Sequence, residues 1–353
     1  MNNTVLLRVS GREWGGWTSV RISAGINRIA RDFNVAITTR WPGSRDYQPR
    51  IKNGELVEVL IGDEPVLTGY VEALPLRYDA SSVSMGIVGR SKTADLVDCS
   101  ALPLQQSGKN LLRIVSELAA PFGITVVDAG VPQTASTTVM PSRNTAKPVA
   151  DCLNRLLGQV QTLAYDDECG RLVLGKPGTG KAATALVLGE NILSCDTERS
   201  IRERFSEYQV SGQRPGNDDD FGEATIAAIR QTIQDSGVTR YRPLLIQQSG
   251  TATTATCKAR CEFEARQRAA LTRETTYTVQ GWRQGSGALW RPGLSVIVFD
   301  PLNNFDNDEL VIAEVTYNQD DRGTTTELRV GPADAYLPEP VTARKKKNVE
   351  EDF

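Results

Sequence analysis

Gly54-Glu55-Leu56-Val57-Glu58-Val59-Leu60-Ile61 and Gly293-Leu294-Ser295-Val296-Ile297-Val298-Phe299 carry one pattern twice. Apolar side chains recur at alternate positions after the glycine, the period of a strand with one face on a core. Each copy turns into a second strand, Leu67-Thr68-Gly69-Tyr70-Val71 in the first and Leu310-Val311-Ile312-Ala313-Glu314-Val315 in the second. Each then reaches an Asp-containing turn, at Asp79 and at Asp320-Asp321, and closes on a strand ending in glycine, Ile87-Val88-Gly89 and Arg329-Val330-Gly331. The separation is 239 residues at the start (293 − 54) and 242 at the end (331 − 89), so the register holds across the unit. The chain reads as two related β modules.

Outward from the first copy, alternation recurs at Val5, Leu7 and Val9, at Phe33, Val35 and Ile37, and at Val83, Met85 and Ile87. Residues 25–30 read as a helical turn between two of these strands. Around the second copy come Tyr277 and Val279, Leu310 and Ile312, Val315 and Tyr317, and Leu328 and Val330. A charged helix at 255–271 and an exposed acidic loop at 216–220 precede them. Between the modules the period changes. Leu111, Ile114, Val115 and Leu118 fall at helical spacing, stopped by Pro121 and Gly123. A second helix opens with Pro148 in its first turn and has Val149, Cys152, Leu153, Leu156 and Leu157 on its apolar face. Residues 162–165 and 171–174 then form a hairpin. The expected fold is α+β and mainly β. It comprises a first β module at 1–98, an α+β insert at 99–195, a second β module with helical and loop insertions at 196–338, and a charged, flexible tail at 339–353.

The 353 residues include 40 Lys+Arg against 43 Asp+Glu, and this near-balance argues against a surface built to hold nucleic acid. There is no histidine, which removes His-dependent nucleophilic triads, His general bases and His metal ligands. The six cysteines, Cys99, Cys152, Cys169, Cys195, Cys257 and Cys261, form no CxxC pair and read as buried free thiols. No apolar run approaches the roughly 18 residues of a membrane span, so the expectation is a soluble chain made in the cytoplasm, without membrane insertion.

Motifs that invite chemistry fail on detail. Residues 175–182 fit GxxxxGK, but Ala182 replaces the Ser or Thr that would hold Mg²⁺, and residues 182–189 read as readily as strand as helix. The acidic run from Asp300 to Glu309 lacks the glycine and terminal glutamate of a calcium loop and reads as a polar hairpin tip. Asp166 and Asp167 could be imagined as glycosidase acids, but adjacent acids point apart. Cys257 and Cys261 share one helix face and read as core. No catalytic, cofactor-binding or metal-ligating residue is assigned, and no cofactor is expected. Trp14, Trp17, Trp41, Trp282 and Trp290 all lie in the β modules. Arg8, Arg12, Arg21, Arg28, Arg31, Arg40, Arg45, Arg50 and Lys52 form either a docking face for an acidic partner ring or a solvated strand face. The run Arg344-Lys345-Lys346-Lys347 with Glu350, Glu351 and Asp352 reads as a solvated end.

Several stretches resemble the baseplate hub proteins of Mu-type contractile tails. They are Val5-Leu6-Leu7-Arg8-Val9-Ser10-Gly11 with Gly16-Trp17-Thr18-Ser19-Val20, and Gly89-Arg90-Ser91-Lys92-Thr93-Ala94-Asp95-Leu96-Val97-Asp98, the most specific. Further along come Gly170-Arg171-Leu172-Val173-Leu174, Tyr208-Gln209-Val210-Ser211-Gly212-Gln213, Gly281-Trp282-Arg283 and Leu289-Trp290-Arg291-Pro292-Gly293. The resemblance spans residues 4–335, with no clear counterpart for 213–241. It implies a non-enzymatic virion component with two barrel-like tube modules per chain. The implied assembly is a homotrimeric, pseudo-sixfold ring between the tail tube and the central membrane-piercing spike. The implied partners are the tube protein, the spike protein and other baseplate proteins. A hub of a bacterial contractile injection system or tailocin is the alternative. The internal repeat points to such a ring on its own, since three chains of two modules offer six similar surfaces.

Overall fold

A computed structural model describes residues 3–39, 51–79, 83–102, 110–131, 147–212, 229–248 and 252–340. The expected loop at 216–220, the tail beyond 340, Trp41, Arg40, Arg45 and Arg50 lie outside these residues.

The repeat extends further than the sequence showed. The first module runs in the order Ser19–Gly25, Asp32–Thr39, Val83–Ser91, Glu64–Ala73, Leu56–Ile61, every pair antiparallel. The second repeats that order as Ile192–Asp196, Thr275–Gln280, Gly323–Gly331, Phe305–Asp320, Leu294–Asp300. Even the pairing register repeats, at a constant offset of 241 (311 − 70 and 331 − 90): Tyr70↔Arg90 becomes Val311↔Gly331, and Val71↔Gly89 becomes Ile312↔Val330. Both modules slip by one residue at the same place, between Val71 and Ala73 and between Ile312 and Glu314. This bulge explains why the alternation of the second copy changes phase between Ile312 and Val315: one extra residue puts odd positions on the face that even positions held.

The modules share one sheet and one core. Phe33, Val35, Val57, Val59, Tyr277, Trp282, Val298 and Leu328 belong to a single buried cluster. The insert buries Leu111, Ile114, Val115, Leu153, Leu156 and Leu157 from the helices Leu111–Ala119 and Val149–Gly158 against Leu172 and Leu174. Its sheet places Leu172–Gly175 between Leu163–Asp166 and, in parallel, Val126–Ala129. Pro148 stands one position earlier than expected, as the N-cap.

Three expectations are corrected. Residues 26–30 form a turn, not a helix, because Ile26 N–H donates to Ala313 O (2.9 Å) rather than within a helical turn. Residues 180–195, expected in the insert, bond to the second module: Gly180–Lys181 and Leu186–Val187 pair in parallel with Leu294–Asp300, and Ile192–Asp196 pairs with Thr275–Gln280. The insertion after residue 200 is a discrete unit. In it Glu207–Gly212 lies between Ile229–Gln234 and Pro243–Gln248, under the helix Thr254–Leu271.

Candidate assembly site

What distinguishes this chain is the way its parts are joined. The C-terminal half of Phe305–Asp320 lies antiparallel to Ser19–Gly25, with Glu314 opposite Gly25, Thr316 opposite Ser23 and Gln319 opposite Val20. This strand pairing fuses the two modules into one sheet. The Ser23 and Thr316 hydroxyls hydrogen-bond at 2.7 Å where both are buried. Beside them an ionic chain crosses the joint. Asp32 pairs with Arg21 and Arg28, Arg28 reaches Glu314 at 3.7 Å, and Glu314 pairs with Arg329 at 2.9 Å.

A second joint ties the insert to the first module. Arg31 donates from Nε to Asp166 Oδ1 (3.1 Å), from Nη2 to Asp166 O and from Nη1 to Val66 O (both 2.8 Å), while its N–H reaches Asp166 Oδ2 (3.1 Å). Burial pushes the Asp166 carboxyl up, opposed by the Arg31 guanidinium and a hydrogen bond from Ser91. A third contact brings in the second module. Arg291 pairs with Glu168 at 2.7 Å and Arg283 with Glu64, while Thr68 Oγ1 donates to Glu168 O at 2.9 Å. Gly170 follows this turn with φ +72°, and a Cβ there would stand 2.7 Å from Thr68 O, so the hairpin approaches the module as closely as it does because the residue is glycine.

The residues singled out in the sequence are scattered. Asp166 and Asp167 do point apart: Asp167 Oδ1 caps the hairpin turn, accepting from Cys169 and Arg171 N–H. Gly178, with φ +77°, donates to Gly293 O as the GxxxxGK segment crosses into the second module, and no helix follows it. Asp300 is buried and accepts from the Tyr277 hydroxyl (2.7 Å), Asn303 Nδ2 (2.6 Å) and Leu302 N–H (3.1 Å). Burial pushes its carboxyl up, but the hydrogen bonds from Asn303 and Tyr277 outweigh that and hold it below the ordinary range. Among the described residues no group of three or more Cys, Asp or Glu could hold a metal ion.

All six cysteines are free thiols as expected, but only Cys257 and Cys261 are buried: Cys99, Cys169 and Cys195 are exposed and Cys152 is half-buried. Of the basic residues offered as a docking face or a solvated strand face, Arg12 and Lys52 are exposed and the other described ones are engaged within the chain. Arg8 pairs with Glu13 and Glu58, Arg21 and Arg28 with Asp32, and Arg31 is buried. A cleft of about 760 Å³ opens where modules and insert meet, but its Arg28, Arg90 and Arg329 each have acidic partners. The sequence reading missed an apolar edge. Leu74, Leu76 and Tyr78 are 38%, 56% and 78% exposed. Their signal was present as alternating apolar residues just beyond the Leu67–Val71 strand.

Four family matches cover successive parts of the chain. Residues 4–91 match the family of Mu phage baseplate assembly protein GpP-like, N-terminal, and residues 93–176 the second domain of baseplate hub protein gp44-like. Residues 204–262 match the third domain of tail protein NMB1110-like, and 253–339 the fourth domain of Mu phage baseplate assembly protein GpP. Over its whole length the chain is 32% identical to the baseplate hub protein gp44 of Escherichia phage Mu, covering 98% of this chain and 92% of that one. The chain belongs to the Mu-type baseplate hub family.

The hub's crystal-structure neighbours include the 43 kDa tail protein of prophage MuSo2 from Shewanella oneidensis, with TM-score 0.86 and 29% identity over 95% of this chain and 99% of that one. At the level of fold alone it is similar to the E. coli type VI secretion component c3393, with TM-score 0.53 and 9% identity over 96% and 80% of the two chains. The third-domain match covers the polar stretch at 213–241 that the sequence reading left without a counterpart.

Proposed function

We propose that this hub protein assembles as a homotrimer whose six β modules alternate around a pseudo-sixfold ring, joining the tail tube to the central membrane-piercing spike. The modules line the channel, and the insert lies on the periphery or toward the spike. The protein works by holding and transmitting force, without catalysis. Its partners are the tube protein, the spike protein and other baseplate proteins. It resides in the virion tail baseplate after assembly in the host cytoplasm. The observation that carries this reading is the identical strand order and register of the two modules, joined edge to edge within one chain. Similar units joined head to tail make a heterologous contact, which closes into a ring when its rotation allows. The fold-level likeness supports it too, since the type VI component is described as similar to the phage T4 tail proteins gp27 and gp5.

Native mass measurement tests the reading. The expected species is three times the 38.5 kDa chain, ring-shaped in micrographs. A chain that stays monomeric at high concentration, with tube and spike proteins added, refutes it.

A further inference from the structure

The two modules share an order of strands but not the same neighbours. In the second, residues 314–319 carry Ser19–Gly25 along one edge. Residues 73–78 of the first module occupy the same place: Leu76↔Met85 and Arg77↔Ser84 become Tyr317↔Thr326 and Asn318↔Thr325 at the offset of 241. Yet no described strand lies along their outer edge. The counterpart of Ser19–Gly25 is Ile192–Asp196, which ends the sheet. Its register places Cys195 where Val20 stands and Asp196 where Arg21 stands, because Tyr277 and Thr276 take the places of Val35 and Asn34. Each module therefore has one half of the internal joint left open.

We propose that residues 73–78 of one copy pair antiparallel with residues 195–200 of a second copy, repeating between chains the joint that fuses the modules within each chain. The inference rests on the ring reading above and names the surface that closes the ring.

Four features of the open edges fit that occupant. Leu74 and Leu76 stand at the positions of Val315 and Tyr317, which are buried in the second module on the strand that carries the joint. Exposed in the lone chain, they are core residues without a cover. Second, the backbone phase is right. Ile26 N–H donating to Ala313 O sets the alternation, so Val315, Tyr317 and Gln319 aim their polar groups at Ser19–Gly25. Leu74, Leu76 and Tyr78 accordingly aim theirs at the open edge. Third, Pro75 stands at the position of Thr316, whose N–H turns away from the joint, so the proline removes no donor from the edge. Fourth, the charges agree. Asn318 faces Arg21 inside the chain; transferred, Arg77 faces Asp196 of the next copy. Both are exposed, and neither forms an ion pair among the described residues. An unpaired apolar edge of this kind is a template for another chain.

The test uses the full chain with Cys99, Cys169 and Cys195 replaced by Ser. Arg77 and Asp196 correspond to a non-hydrogen-bonded pair, where opposed residues come closest. Under oxidised glutathione, Arg77→Cys with Asp196→Cys is expected to give covalent trimer, while Arg77→Cys with Ser194→Cys, two residues out of register, is not. In the otherwise native chain, Arg77→Glu or Asp196→Arg alone is expected to raise the concentration at half-assembly by about tenfold or more, and the two together to restore it. A native trimer that neither cross-links nor responds to the reversals overturns the joint and leaves the ring reading standing. A chain monomeric even with tube and spike proteins overturns both. Reversals whose double variant stays dissociated, with an unchanged thermal melt, also overturn the joint.

Discussion

Replacing Asp166 by Ala should cost far more than one hydrogen bond. The Asp166 side chain is fully buried and that of Arg31 is 8% exposed. The substitution removes the carboxylate that accepts from Arg31 Nε and from its backbone N–H, both at 3.1 Å. The main-chain acceptors Asp166 O and Val66 O remain, so the guanidinium stays in place with its charge uncompensated. Breaking a buried pair from one side costs about 3–5 kcal/mol, most of it from the stranded charge. At about 2–4 °C per kcal/mol for units of 150–250 residues, the melt of the first module and insert should fall by roughly 6–20 °C. The double variant Arg31→Met, Asp166→Leu takes both charges out of the same volume and should return to within about 1 kcal/mol of the native chain. Scanning calorimetry of the three proteins checks this. An Asp166→Ala chain within about 1 kcal/mol of native, or a double variant worse than the single, would refute the argument that this pair holds the insert to the first module.

Two further outcomes are expected. Gly69→Ala should cost about 3 kcal/mol or more, or prevent soluble expression, because the added Cβ would stand 1.9 Å from Arg90 O, which is backbone and cannot swing away. Gly11→Ala, with φ +77° and nothing within 4 Å, should cost only about 1–2 kcal/mol; parallel melts compare the two. The third expectation concerns acid. The Arg204 hydrogen bonds at 2.6 and 2.9 Å hold Asp235 below the usual carboxylate range. The pair's contribution is therefore present above about pH 4, the unfolded value, and lost as pH falls through the lower folded value. The gap in urea midpoint between the native chain and Asp235→Asn should close over that window; a constant gap contradicts it.

The sequence was legible wherever a period could be counted. Phe33 and Val35, Val57, Val59 and Ile61, and the helix face of Leu111, Ile114, Val115 and Leu118 are all buried as their spacing required. Where an element is too short for a period, the reading failed. Gly180–Lys181 and Leu186–Val187 are two-residue strands, held by parallel bonding to Leu294–Asp300, and nothing local marks that partner. The sheet of Glu207–Gly212 escaped for a related reason: its partners Ile229–Gln234 and Pro243–Gln248 are half polar and come from distant segments. Charge partners were the least legible, since Arg31 and Asp166 lie 135 residues apart and only the fold brings them together.

The duplicated module kept its register and its bulge but not the side chains at its joint, and that divergence has a use. If both joints carried the same pair, either open edge could take either partner strand. Before the modules of one chain have docked, residues 73–78 of another copy could then capture Ser19–Gly25 and join two first modules. In that mispairing Arg77 would face Arg21, two cations directly opposite on adjacent strands, which is destabilising. The internal joint sets the neutral Asn318 against Arg21, and the proposed joint sets Arg77 against Asp196. Each correct pairing is at worst neutral and the wrong one is repelled, so specificity comes from the penalty on the competitor. The same arithmetic says which substitution should misassemble rather than simply dissociate. Arg77→Asn removes the repulsion without reversing a charge, and it should let first modules join one another, visible as species larger than a trimer when the chain refolds at high concentration. A clean trimer from that variant would mean that docking within the chain outruns capture, and that the charge at residue 77 serves the joint alone.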